Sequence, residues 1–224
     1  MPHPDTWLKP LPQGLYCEPG GFFIDPSRVV DRAVITHAHS DHARPGHKAV
    51  LATAATLALM RARMGPTRAG HTQLSLTYGE TITIGDVRVW LQPAGHVLGS
   101  AQVAMEYRGS RAVVSGDYKR VPDPTCDPFE PIACDVFVTE AASGWMRIRQ
   151  RAKSSGAELP LIISDHADWN ELNRTIDDTG APEVWVTHGW EAPLIHAAAQ
   201  RGIRGRALRM VGYGDEDAPD QEAV

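Results

Sequence analysis

Four histidines and one aspartate fall within eleven positions, His37, His39, Asp41, His42 and His47, directly behind the apolar run Ala33-Val34-Ile35. In an extended segment the i, i+2 spacing places His37 and His39 on one side. Asp41 and His42 are neighbours and can point elsewhere, toward a second ion. Imidazole and carboxylate together suit zinc, manganese or iron. A lone histidine is more often an ordinary core or surface residue, and His3, His47, His71 and His196 are read that way. Four ligand types packed into positions 37–42 are not explained so simply.

More candidates follow apolar runs downstream. "VWLQPAG" leads to His96, "AVVSG" to Asp117, "DVFVT" to Glu140, "LIIS" to Asp165-His166 and "VWVT" to His188. Strands hold their tips rigidly, and the loops after them are left to shape a site. Packing alone gives no reason for a His, Asp or Glu after each of these runs.

The elements that must position them are legible as a mixed α and β pattern. "GLYCEP" and "GFFID" read as a strand pair around Pro19-Gly20-Gly21, and "RAVIT" and "AVLAT" as buried strands. Thr53 caps a predicted helix over "AATLALMRARM" that stops at Gly65-Pro66. "ETITIGDVRVWLQP" alternates about Gly85-Asp86, a hairpin pattern; "AQVAMEY" and "RAVVSGD" form another that turns at Gly109. "CDVFVTE" and "LPLIIS" read as strands. "DWNELNRTIDD" reads as a helix with Asp168 as N-cap and Glu171 three residues on. "EVWVTH" is a strand, followed by a helix from about Trp190 to Arg201 and a last strand, "RALRMV".

Length and composition bound what such a chain can be. Its 224 residues suit one domain and are enough for a sizeable core without disulfide staples. Cys17, Cys126 and Cys134 form no C-x-x-C pair, so neither a zinc ribbon nor a disulfide framework is expected, and a reducing cytoplasm fits. No apolar run approaches the roughly 18 to 20 residues that span a membrane, so no membrane association is expected. The net charge of −5 arises from the tail after Gly214, which holds five acids and no base. Residues 1–214 are thus read as one neutral domain, and residues 215–224 as a disordered acidic tail. Arg147, Arg149 and Arg151 cluster in "MRIRQRAK", and Arg201, Arg204, Arg206 and Arg209 near the end. Solvated surface is the plain reading of both; a face that tracks phosphates is the sharper one.

"HAHSDH" closely resembles the H-x-H-x-D-H motif of the metallo-β-lactamase superfamily. "PAGHVLGSA" around His96 and "SGDY" around Asp117 resemble its later motifs, and Asp25 in "FFIDP" resembles the early aspartate that buttresses the metal loop. "VTEA" at Glu140, "ISDHADW" at His166 and "VTHG" at His188 resemble the three added motifs of the β-CASP nucleases. "GLYCEPGGFFIDPSR", "VVSGDYKR" and "SGWMR" look most like the bacterial ligase-associated DNA exonucleases, also labelled mRNA 3′-end processing factor-like. The likeness runs from about Thr6 to Tyr213. One departure stands out: 25 residues separate Glu140 from His166, where the β-CASP enzymes carry a whole cap domain. The chain reads as if the cap were missing, with a junction near 141–144.

The resemblance implies a four-layer αββα sandwich of two mostly antiparallel sheets, with a dinuclear metal site at one edge. His37, His39 and His96 would hold one divalent ion, and Asp41, His42 and His188 a second. Asp117 would bridge the two, since a carboxylate can offer one oxygen to each. Zinc is the first expectation and manganese the second. Asp41, Glu140 and His166 would share the chemistry, His166 as the acid for the leaving oxygen and Glu140 orienting its ring. Asp31, just before a strand, is read either as a support for the ligands, like Asp25, or as a plain surface charge. The substrate would be DNA, with RNA as the other nucleic acid, and Arg147, Arg149 and Arg151 would contact its phosphates. An ATP-dependent DNA ligase or a helicase would be the partner. Two other classes stay open: a small-molecule hydrolase of thioesterase or lactonase type, and a non-catalytic metal-binding remnant that meets a protein partner.

Overall fold

A computed structural model describes residues 1–140, 166–189 and 191–208. Its first sheet contains β1 (Leu8–Leu11), β2 (Gly14–Cys17), β3 (Phe22–Ile24), β4 (Arg32–Val34), β5 (Ala49–Ala52) and β6 (Thr72–Ser75), side by side in chain order, with α1 (Ala54–Met64) joining the last two. Its second contains β7 (Thr81–Ile84), β8 (Val87–Pro93), β9 (Ala101–Tyr107), β10 (Ser110–Val114), β11 (Val136–Glu140), β12 (Glu183–Thr187) and β13 (Arg204–Ala207), again in order. α2 (Trp169–Thr179) precedes β12, and α3 (Glu191–Gln200) joins β12 to β13.

Successive strand residues face opposite sides, and here both sides are apolar. Val34 and Leu51 of the first sheet meet Val103, Met105, Ala112, Val136, Val138 and Trp185 of the second in a core between the sheets. Their neighbours point outward. Ala33, Ile35, Val50 and Ala52 pack against Leu57 and Met60 of α1. Ala104, Val113, Phe137, Val184 and Val186 pack against Leu172 and Ile176 of α2 and Leu194 of α3. Three stacked apolar layers therefore separate helix, sheet, sheet and helix, and the expected αββα sandwich is what forms.

The expectation of mostly antiparallel sheets is corrected. Among the described residues, six of the eleven strand pairings are parallel: β3–β4, β4–β5, β5–β6, β10–β11, β11–β12 and β12–β13. The runs "VFV" and "VWV" are apolar on both faces, as parallel strands covered by crossover helices require. Two of the antiparallel pairs, β7–β8 and β9–β10, lie where the hairpins were read, about Gly85-Asp86 and Gly109.

Two strands escaped the sequence pattern. β1 contains Pro10 and forms an edge, where a missing N–H does no harm. β6 is exposed along most of its length and shows no apolar alternation. The last strand spans Arg204–Ala207, two residues earlier than expected. Both predicted helix starts hold. Thr53 Oγ1 accepts from Thr56 N at 3.1 Å. Asp168 and Glu171 form a reciprocal capping box, and Gly180 ends α2 in a left-handed conformation. The expected strand "LPLIIS", the junction near 141–144, Arg147, Arg149, Arg151, Arg209 and the acidic tail lie outside the described residues. Among the described residues, no helix is long and apolar enough to cross a membrane.

Candidate metal centre

Asp25 follows β3, His37 follows β4, His96 follows β8, Asp117 follows β10, Glu140 ends β11 and His188 follows β12. All are C-terminal strand ends, and the two sheets bring them to one edge of the sandwich. Ligand atoms of His37, His39, His96 and Asp117 lie within 4.8 Å of one another, as do those of His42, Asp117 and Glu140. Asp117 is common to both groups.

Its carboxylate is ringed by imidazoles. Oδ2 is 3.5 Å from Nε2 of His37, 3.5 Å from Nε2 of His96 and 2.9 Å from Nε2 of His166. Oδ1 is 3.5 Å from Nε2 of His42. His96 Nε2 is 3.2 Å from His39 Nδ1. Ions of the zinc type hold such ligands at about 2.1 Å in a tetrahedron, whose edges are then about 3.4 Å. The observed separations match those edges. Among the described residues, His37 Nε2 and Asp117 Oδ1 are also buried with no hydrogen-bond partner, a costly state unless something else binds them. The donors are nitrogen and oxygen, which suits zinc, manganese or iron. The residues present therefore fit divalent ions.

For His37 and Asp117 the electrostatics agree with that fit. Burial pushes the His37 ring well below the ordinary imidazole range, and the charge on His42 adds to the effect, so His37 presents a neutral lone pair. Burial acts against a charged His42 as well. There the hydrogen bond that His42 donates to Asp25 and the charges of Asp25, Asp117 and Glu140 win, and its pKa is raised to about 10. Burial would raise Asp117, but the His166 hydrogen bond and the charges of His42 and His37 hold its carboxyl far below the usual range. Glu140 is raised, by burial first and then by the negative charge of Asp117.

Asp25 is buried and adopts a left-handed backbone, φ 41°, costly for a non-glycine residue. Its Oδ2 lies 2.9 Å from His42 Nδ1, so the early aspartate does reach the metal loop. Asp31 does not. It stands at the other end of β4, its side chain 78% exposed, and pairs with Lys48 at 2.6 Å. The reading of Asp31 as a support for the ligands is corrected: a residue before a strand sits a full strand length from the edge where ligands gather.

Glu140 also lies differently from the expectation. Its Oε1 is 3.0 Å from His188 Nδ1 and 3.8 Å from His42 Nε2. Among the described residues it makes no ion pair with His166, whose Nε2 lies on Asp117 instead. Asp41 sits at the rim, its side chain 66% exposed and Oδ2 3.8 Å from His42 Nε2. His188 has a left-handed backbone, φ 52°, a second non-glycine strained at this edge.

Several supporting residues were missed by sequence reading. Ser100 Oγ accepts from His96 N at 3.1 Å and Val97 N at 3.2 Å, fixing the loop that carries His96. Thr36 binds both Asp25 and His37. The available signal was slight: Thr36 directly precedes His37, and Ser100 lies four residues after His96. Glycine precedes two of the ligands for steric reasons. A Cβ on Gly95, φ 72°, would lie 2.4 Å from Lys119 O and 2.9 Å from Phe129 N; one on Gly116, φ 55°, would lie 2.8 Å from Thr36 Cβ. Gly95→Ala is therefore expected to cost about 1–3 kcal/mol. Urea unfolding of the two proteins checks this, and unchanged stability would show that the His96 loop relaxes at no cost.

Residues 26–186 match the model of the Metallo-beta-lactamase superfamily. Over 80% of its length the chain is 33% identical to a protein of Opitutus terrae named "Probable DNA ligase", of which it covers 17%. Over 88% of its length it is 34% identical to "Ribonuclease TTHA0252" of Thermus thermophilus, of which it covers 53%. The chain thus spans about half or less of these relatives. In fold it is similar to the metallo-β-lactamase fold protein YhfI of Bacillus subtilis, with a TM-score of 0.56 and 11% identity over 88% of this chain and 87% of that one.

Proposed function

Because the chain belongs to the metallo-β-lactamase superfamily, we propose that it is a divalent-metal-dependent phosphodiesterase that cleaves nucleic acid, DNA in the first place. The observation that carries the reading is Asp117, one carboxylate with imidazoles on both oxygens and two clusters of ligand atoms sharing it. In the proposed assignment His37, His39, His96 and Asp117 hold one ion. Asp117, His42, Asp41 and His188 hold the other, with Glu140 close enough to join them or to orient His188. Two such ions would supply charge stabilisation at phosphorus and a water nucleophile active near neutral pH.

The chain's own groups supply the rest. The His166 side chain is 48% exposed, so its ring is open to a substrate while Nε2 is held 2.9 Å from Asp117 Oδ2. An imidazole so placed can carry a proton to the leaving oxygen. Asp25 holds the His42 ring, and Ser100 fixes the backbone of the loop that carries His96. A nucleic-acid substrate is supported by the names of the relatives, one a ligase and one a ribonuclease. The ligase-named relative, of which this chain covers a small part, also supports work beside an ATP-dependent DNA ligase. We assign Arg147, Arg149 and Arg151 to phosphate contacts.

The test is metal analysis joined to cleavage of end-labelled single- and double-stranded DNA and RNA of one sequence. Near two ions per chain and cleavage of DNA are expected. RNA cleavage alone would reverse the polymer assignment. Turnover of a thioester in place of bis-p-nitrophenyl phosphate would replace the reading with a small-molecule hydrolase. With 25 residues between Glu140 and His166 and 22 basic against 22 acidic residues before the tail, few phosphates can be neutralised. Binding of a 30-mer should be weak, with a slope of log K against log salt shallower than about −4. A steep slope would show a full nucleic-acid track in this chain.

A further inference from the structure

We propose that Thr36 is a positioning residue that sets the tautomer of His37 and so couples the two halves of the metal centre to one carboxylate, Asp25. The inference rests on the metal-centre reading above and adds a residue and a role to it.

Thr36 is buried and immediately precedes His37. Its backbone N–H donates to Asp25 Oδ1 at 2.8 Å. Its Oγ1 lies 2.6 Å from Asp25 Oδ2 and 3.0 Å from His37 Nδ1. A hydroxyl has one hydrogen, and a carboxylate oxygen can only accept. The Thr36 proton therefore goes to Asp25, and the contact to His37 is left to a lone pair. His37 Nδ1 must carry the hydrogen in that contact, which leaves Nε2 with its lone pair directed at Asp117 Oδ2, 3.5 Å away.

The same Asp25 oxygen accepts from His42 Nδ1 at 2.9 Å. His42 Nε2 faces the other Asp117 oxygen at 3.5 Å. One carboxylate thus orders a histidine of each cluster, His42 directly and His37 through Thr36. Thr36 has a second contact with the centre. The space that a Cβ on Gly116 would need is taken by Thr36 Cβ, Oγ1 and Cγ2, at 2.8, 2.8 and 3.0 Å. The side chain therefore lies against the backbone of the residue before Asp117. One side chain thus borders the residue before the shared carboxylate and binds the ring that faces that carboxylate.

Thr36→Val keeps the shape and removes the hydroxyl; Thr36→Ser keeps the hydroxyl and trims a methyl. In zinc titrations of the full chain against a chromophoric chelator, Thr36→Val is expected to lose about 10- to 100-fold in affinity at one of two sites, while Thr36→Ser stays close to the unaltered chain. Equal losses in both variants, or none in Thr36→Val, would overturn the relay. A measurement without substitution guards against a variant that does not fold. Long-range proton–nitrogen spectra of the metal-free chain should find His37 protonated at Nδ1; protonation at Nε2 overturns the proposal. If the unaltered chain takes up no zinc, the metal-centre reading itself fails. If it takes up two ions and Thr36→Val matches it, only the relay fails.

Discussion

Asp117→Asn is expected to reduce the metal content from near two ions per chain to less than one, and hydrolysis of a phosphodiester by more than about 10²-fold. That loss exceeds the 10- to 100-fold that follows when only a ligand's supporting partner is removed. The substitution keeps the shape of the side chain and changes one oxygen and one charge. The consequence is large because both oxygens are in use: Oδ2 faces His37, His96 and His166, and Oδ1 faces His42. An amide offers one acceptor and turns a donor toward imidazole nitrogens that need their lone pairs for metal. Elemental analysis of protein purified without chelator gives the content, and bis-p-nitrophenyl phosphate the rate. Two ions retained in Asp117→Asn would mean that the clusters do not share a bridging ligand.

His166→Ala should separate chemistry from metal binding. Turnover is expected to fall roughly 10²- to 10⁴-fold, the usual worth of a positioned acid, with metal content unchanged. The contact between His166 Nε2 and Asp117 Oδ2, 2.9 Å, makes this a sharp test. A ring that near the shared carboxylate could serve as a ligand as well as an acid. If His166→Ala empties a site, the ring is a ligand and the proton must come from elsewhere. If metal stays and the rate does not change, His166 has no part in the reaction.

The candidate ligands were largely legible in the chain. His37, His39, Asp41 and His42 declare themselves by density, and His96, Asp117, Glu140 and His188 by ending apolar runs. Chain order alone carries this information, because a strand's last residue lies at its sheet's edge whatever the sheet does. Helix starts were legible for a similar reason. Thr53 and Asp168 satisfy backbone donors within three residues of themselves, so nothing distant takes part.

Whatever depends on a neighbour remote in sequence was decided by the fold. Parallel pairing of β10, β11 and β12 requires covering on both faces, and packing provides it, with the first sheet on one face and α2 and α3 on the other. β1 and β6 are held by ladder bonds to adjacent strands, with no apolar pattern of their own to mark them. Asp31 and Asp25 look alike as residues near strands. Strand direction puts Asp25 at the metal edge and Asp31 at the opposite end, in water with Lys48. Which acid meets which histidine was settled the same way. Glu140 belongs to β11 and His188 to the end of β12, adjacent parallel strands whose register places Glu140 opposite Thr187. That register turns the carboxylate to His188 at 3.0 Å and leaves His166 to Asp117. Residue types announced that metal chemistry was available. Distances between strand ends, set by packing of two sheets, determined which candidate ligands lie together.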